Sequence, residues 1–476
     1  MLNSLLHGHA PLQLLLFSTL SPLVLARVPI TPLSYSTFDS SFNLYPLSGN
    51  GGCNRPTPNG RPMMQPTLKS LGGVSAIAQT LVQNLPSYPT QQEIRGLLFL
   101  FFGITFQANH QLNPATDNVN AYNNIINTFG MVNRVFTNPA TNPYNLKPRY
   151  RCLEDYAVYY THMTNSNGQQ DFSLPLIGEY FDSVTEYGLT RPPPYNDIWP
   201  GLMFVNNQLD GTFSWYMPNP ASPSKGTCNF DVAQQLLATT AFTDAKYSTE
   251  GLLPGAAQTA VQDTARALYG ITVCPSHFDV PTLLDLGAPT PNAGTSEVYK
   301  FQRSADLEDL HELIHLVTNG VVIDQPQIVP PASNPPSTDD YFTNRDWPSW
   351  TFSTLYQSYG YFFTAFLGLT RPEQARLNAD NWAIFGMCVY FPELDCLGSF
   401  QDDIRTRRSV PGGLSPRAVE KIREGGFDLT RDTPMDLDLE RGPGGRRRRA
   451  EDFDLGLAEK GESRFRDADV PSAIFG

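Results

Sequence analysis

The pentad His311-Glu312-Leu313-Ile314-His315 constrains this chain more than any other stretch. Apolar residues at Leu307, Leu310, Ile314 and Val317 recur at helical intervals, Ser304 stands where a capping residue would, and Asn319-Gly320 supplies a left-handed stop. These signals predict a helix around the pentad. Residues four apart stack on one side of a helix, so both imidazoles can reach one ion while Glu312 points toward water bound there. A divalent metal lowers the pKa of such a water, and a neighbouring carboxylate can take its proton as it attacks a carbonyl. Two histidines and a glutamate also meet by chance on wet helix faces, so the rest of the chain has to decide.

A catalytic zinc takes three protein ligands and leaves a fourth position to water. His315 is the last of the seven histidines, so a further ligand downstream has to be a carboxylate. Asp324, Asp339, Asp340 and Asp346 are within reach, with Glu373 and Asp380 further on. The three-histidine pattern H-E-x-x-H-x-x-G-x-x-H is excluded, because Thr318 and Val321 occupy the places of its glycine and last histidine.

The chain of 476 residues is long enough for two or three domains and a large core. A net charge of −13 argues against nucleic acid as a partner, since phosphate contacts need a basic face. Residues 1–26 read as a secretory signal: an apolar run from Leu12 to Leu25 ends in Val24-Leu25-Ala26, a small-residue cleavage site, though no Lys or Arg precedes it. Ser18, Thr19, Ser21 and Pro22 interrupt the run, which argues against a lasting membrane anchor, and Leu97–Phe106 is too short to span a bilayer. The six cysteines, Cys53, Cys152, Cys228, Cys274, Cys388 and Cys396, all follow the cleavage point and lack C-x-x-C spacing. An even number in an exported chain predicts disulfides, with the pairing left open.

In chain order, residues 27 to about 72 read as an irregular, Pro- and Gly-rich opening, and residues 73–106 and 120–136 as helical. Short strands and long loops are expected from about 137 to 230, a helix over Gly255–Leu268, and a strand over the β-branched run Gly270–Cys274. Beyond Gly320 a proline-rich insertion runs to about Trp350, followed by an aromatic helix over Trp350–Leu367 and a last helix from about Pro372 to Tyr390. Residues 401–476 hold 15 basic and 16 acidic side chains, against 33 and 46 in the whole chain, so about two-fifths of the charged side chains lie in a tail that reads as disordered. Within it, Arg405-Thr406-Arg407-Arg408 has the form of a processing site and Arg446–Arg449 could meet an anionic surface; a solvated charge run explains both equally simply. The domain reading is therefore a signal at 1–26, a mostly helical region at 27–150 that is either a propiece or part of the catalytic unit, a peptidase domain at 151–400, and the tail.

Three stretches together resemble the aspzincin metallopeptidases, the family of deuterolysin and the fungal lysine-specific metallo-endopeptidases. They are the pentad, the segment Ile271-Thr272-Val273-Cys274-Pro275-Ser276-His277-Phe278, and the block Leu377-Asn378-Ala379-Asp380-Asn381-Trp382-Ala383-Ile384-Phe385, which is similar to the family's N-A-D-N-Y-A-x-F. The resemblance covers roughly residues 255–390. It implies a zincin-like α+β fold, mostly helical with a small sheet beside the metal helix, and a secreted zinc endopeptidase acting on protein or peptide substrates. It also implies Zn2+ held by His311, His315 and an aspartate, with Glu312 as general base.

The family's third ligand lies in a D-x-x-Y-G element, which is split here. Asp324 lacks a Tyr-Gly behind it, Tyr359-Gly360 lacks an aspartate three residues before it, and Asp340-Tyr341 imitates part of the element. Asp324 is taken as ligand with Asp340 in reserve, and Tyr359 as the residue that hydrogen-bonds the oxyanion. Asp380 is expected to orient a zinc histidine through its ring N–H, and His277 to be a structural histidine. A non-catalytic binding or surface protein on a degenerate scaffold is the competing expectation, for which the broken element speaks.

Overall fold

A computed structural model describes residues 27–44, 50–139, 147–153, 157–162, 169–173, 202–207, 212–216, 238–241, 270–290, 295–329 and 351–399. The signal segment, the charged tail, the helix expected over Gly255–Leu268, Asp339, Asp340, Asp346 and Cys228 lie outside these residues.

The described chain is α+β and mostly helical. A short helix α1 (Tyr35–Ser41) and strand β1 (Asn43–Leu44) lead to α2 (Met64–Asn84), α3 (Gln92–Phe102) and α4 (Thr116–Thr137). The opening segment is thus less irregular than its Pro and Gly content suggests, because Ser34 caps α1 through its hydroxyl and Phe38 is buried in the core. Strands β2 (Arg149–Cys152), β3 (Ala157–Tyr160), β4 (Leu202–Asn207), β5 (Thr212–Tyr216), β6 (Ala238–Ala241) and β7 (Gly270–Val273) follow, the last where the β-branched run places it. Then come α5 (Leu283–Leu286), α6 (Thr295–Phe301), the pentad helix α7 (Ala305–Val317), β8 (Pro326–Val329), β9 (Thr351–Gln357), α8 (Gly360–Thr370), α9 (Pro372–Ala375) and α10 (Ala379–Tyr390).

One sheet has the order β1-β2-β7-β6, with β1, β2 and β7 parallel and β6 antiparallel to β7. Strands β3, β4 and β5 form an antiparallel sheet, and β8 pairs antiparallel with β9. Helix α7 packs against β6 and β7 on one side and against α2, α4 and α10 on the others. Twelve of its thirteen residues are buried, so its surroundings are closed all round. Leu310, Leu313, Ile314 and Leu316 are fully buried, each stabilising by about 1.5–3 kcal/mol. Helices from residues 64–137 therefore share one hydrophobic core with the pentad helix and with α10.

Gly73 on α2 shows how tight that core is. A Cβ there would stand 1.7 Å from Oδ1 of the buried Asp306 on α7, so only glycine lets the two helices approach.

Three expectations for this region are corrected. The aromatic helix over Trp350–Leu367 is a strand, Thr351–Gln357, followed by a helix that starts at Gly360. Pairing of the Thr351-Phe352-Ser353-Thr354-Leu355-Tyr356 stretch, rich in β-branched and aromatic residues, with β8 outweighs its helical spacing, and Gly360, at φ +78, breaks the chain between the two elements. The helix expected from Pro372 to Tyr390 is broken into α9 and α10, because Asn378 takes an extended conformation and pairs with Ile323. Ser304 holds the N-cap position of α7, but its hydroxyl makes no capping bond.

Disulfides join Cys53 to Cys152 and Cys388 to Cys396, and Cys274 is also disulfide-bonded. No helix among the described residues is long and apolar enough to cross a membrane.

Candidate metal centre

Helix α7 stops at Thr318, where Asn319 and Gly320 adopt positive φ values of 49° and 71° and Gly320 N–H donates to the carbonyl of His315. The chain then turns back, and the Val322 carbonyl accepts from Nδ1 of His315 at 2.7 Å. A carbonyl can only accept, so Nδ1 carries a proton, and it is the neutral form of His315 that presents a lone pair at Nε2. At His311 the same assignment comes from Asp380, whose Oδ1 lies 3.1 Å from Nδ1. Both Nε2 atoms thus point inward, 2.9 Å apart.

Asp324 completes the group. Its Oδ1 is 3.2 Å from Nε2 of His311 and its Oδ2 is 3.6 Å from Nε2 of His315. Two imidazole lone pairs and a carboxylate aimed at one point repel unless something electropositive lies between them. Tetrahedral ligands at about 2.0–2.1 Å from a zinc stand roughly 3.3 Å from one another. The observed separations of 2.9, 3.2 and 3.6 Å bracket that value, and His311, His315 and Asp324 are all buried. The donor set fits a divalent metal. No family model, curated protein or solved structure matches the chain. The assignment therefore stands on this geometry and on the motifs.

The electrostatics agree. Burial works against the Asp324 carboxylate, but the two imidazoles beside it outweigh burial and hold its pKa well below the ordinary value. Burial likewise works against a charged His311, and Asp324 with Asp380 outweighs it, so its pKa is raised well above the ordinary value. The pocket favours positive charge at the point where the three groups meet.

The pairing of β8 with β9 brings Asp324 and Tyr359 together. These strands bring both ends of residues 330–350 to one place, and the Tyr359 hydroxyl donates to Asp324 Oδ2 at 2.9 Å across 35 residues of sequence. Gly360, whose left-handed backbone opens α8, donates its N–H to Oδ2 of Asp380. Asp380 therefore bridges the His311 ring and the Tyr359-Gly360 turn.

Glu312 is 1% exposed and lies in the same helical turn as the ligands. Its charge reaches His315 on one side and Tyr150 on the other, where burial first, then Asp309, then Glu312 raise the phenol's pKa. Asp309, behind the ligands on α7, accepts from Tyr150 at 2.8 Å and from Ser70. His277 is buried 3.6 Å from Asp309 and is not a member of the ligand group. The Asp309 network and Asn378 were not anticipated. Asn378 stands in the N-A-D-N block, whose first asparagine was the available signal, while Asp309 had none beyond its place on the helix.

Proposed function

We propose that this chain is a secreted zinc endopeptidase of aspzincin type with a zincin-like fold. The observation that supports the reading most is the convergence of two imidazole lone pairs and one carboxylate beside Glu312. A Zn2+ ion held there would polarise a peptide carbonyl and lower the pKa of a water molecule. His311, His315 and Asp324 would hold the ion. Glu312 takes the proton of the attacking water and passes it to the leaving amine nitrogen. Tyr359 donates to Asp324 at rest; by exchanging that partner its hydroxyl can donate to the tetrahedral oxyanion. Asp380 keeps the proton of His311 on Nδ1, so that Nε2 stays free to ligate.

The meeting of Asp324 and Tyr359 favours this reading over a non-catalytic binding protein, whose main support was the split element. Export is supported by the disulfides, which persist in oxidising compartments, and by the leader-like residues 1–26. The test is metal content and chelator sensitivity together. The purified protein is expected to carry about one zinc per chain, to cleave a denatured protein substrate, and to lose cleavage with a chelator and regain it with zinc. A metal-free protein that takes up no zinc refutes the proposal; one that binds zinc but cleaves nothing refutes the catalytic part.

A further inference from the structure

Asn378 is fully buried and heads α10, yet its side chain does not cap that helix. Its Oδ1 accepts from the backbone N–H of Gln325 at 2.9 Å. Its Nδ2 donates to the carbonyl of Ser358 at 2.9 Å and to Oδ1 of Asn381 at 2.8 Å. Gln325 directly follows the ligand Asp324, and Ser358 directly precedes Tyr359. One amide thus ties together the two loops that carry the carboxylate ligand and its hydroxyl partner.

The backbone around it is joined in the same sense. Ile323 N–H donates to the Leu377 carbonyl at 2.8 Å, Ala379 N–H to the Ile323 carbonyl at 3.3 Å, and Ser358 N–H to the Gln325 carbonyl at 2.7 Å. Asn381, also fully buried, anchors the junction from below by donating to the carbonyls of Phe101 and Thr364, both at 2.8 Å. Only a primary amide serves here, since the position needs an acceptor on one side and two donors on the other. A carboxylate of the same shape turns an oxygen toward two other oxygens.

We infer that Asn378 is a positioning residue which holds Asp324 and Tyr359 in ligand-binding geometry before any metal arrives. The inference rests on the metal-centre reading above. It assigns to the first asparagine of the N-A-D-N block a role separate from that of Asp380: Asp380 sets the ring of His311, whereas Asn378 sets the carboxylate.

Two variants and one measurement on the unaltered full-length protein test it. Asn378→Asp is expected to weaken Zn2+ binding by at least about tenfold, as losses in the hydrogen bonds behind metal ligands do, measured by competition with a chromogenic chelator. Tyr122→Phe removes the buried hydrogen bond from the Tyr122 hydroxyl to the Leu85 carbonyl, which involves neither Asn378 nor a ligand loop, so it is expected to lower the melting temperature of the metal-free protein while leaving zinc affinity within about threefold, below that range. A purely structural role for Asn378 would make the two variants alike. In the unaltered metal-free protein, the Gln325 and Ser358 amides are expected to be protected from hydrogen exchange. Equal zinc affinity of Asn378→Asp and the unaltered protein overturns the inference and leaves the metal centre standing. Free exchange of both amides until zinc is added does the same, and this decides the matter if the variant does not fold. If the unaltered protein takes up no zinc, the metal reading itself fails and the inference falls with it.

Discussion

Replacing Asp380 by asparagine changes almost no volume, yet the geometry makes it a severe test of the centre. Two donors face the Asp380 carboxylate: Nδ1–H of His311 at 3.1 Å and the backbone N–H of Gly360. An amide offers one oxygen and one NH2 group. The backbone N–H of Gly360 cannot change its character, so the oxygen goes to it and the NH2 turns toward His311. Nδ1 must then accept, which moves the imidazole proton to Nε2, the atom that has to ligate. The loss is at least the 10- to 100-fold in metal affinity usual for partners behind ligands, or about 1.4–2.7 kcal/mol. Asp380→Ala leaves His311 free to keep its tautomer by bonding water. Asp380→Asn is therefore expected to bind zinc no more tightly than Asp380→Ala, despite being the closer mimic. Competition titrations with a chromogenic chelator give both affinities, and far-ultraviolet circular dichroism checks that each variant is folded. An asparagine variant within twofold of the unaltered protein would refute the tautomer argument.

Three further outcomes are expected. Glu312→Gln should lower cleavage by at least about 10²–10⁴-fold, the range for a lost acid–base group, with zinc content unchanged; loss of the zinc in that variant would contradict the role given to Glu312. Gly73→Ala should destabilise by about 1–3 kcal/mol or more in thermal or denaturant unfolding, because overpacking against the buried Asp306 outweighs the gain in helix propensity of at most about 1 kcal/mol. Burial, then Asp395 and Glu393, push the Glu93 carboxyl up to about 7. The folded chain therefore holds a proton that the unfolded chain releases near its ordinary value of 4.5, and stability falls as pH rises from there to about 7. Allowing for partial exposure, the loss is about 1–2 kcal/mol, and Glu93→Gln should abolish that part of the decline in melting temperature measured between pH 5 and 8.

What could be read in advance follows from how local each signal is. The pentad helix was legible because Leu307, Leu310, Ile314 and Val317 keep one period and Asn319-Gly320 stops it with backbone that does take positive φ. Strand β7 was legible from its β-branched run. Strand β9 was misread because its aromatics are followed closely by those of α8, and only the partner strand β8 decides between the two periods. The break at Asn378 was invisible for the same reason. Nothing in Pro372–Tyr390 forbids a continuous helix; the segment bends because Ile323 and Gln325 offer it tertiary partners. Among the site residues, the histidines and Glu312 come from spacing on one element. Asp324 and Tyr359 come together only through strand pairing across 35 residues, which no local pattern records.

Arg27 and Val28 are tied to the end of α10 and the residues just beyond it. Arg27 pairs with Glu393 at 3.1 Å, 366 positions away, and its guanidinium lies over the rings of Tyr390 and Phe391, while the Val28 carbonyl accepts from the Tyr390 hydroxyl. A nascent chain leaves the ribosome from the other direction in time: this strap and the apolar helices behind it emerge long before α10 exists to receive them. The core therefore closes late: α2 finds α4 soon after it is made, but α3 packs against α8 and α10, which are synthesised long after it.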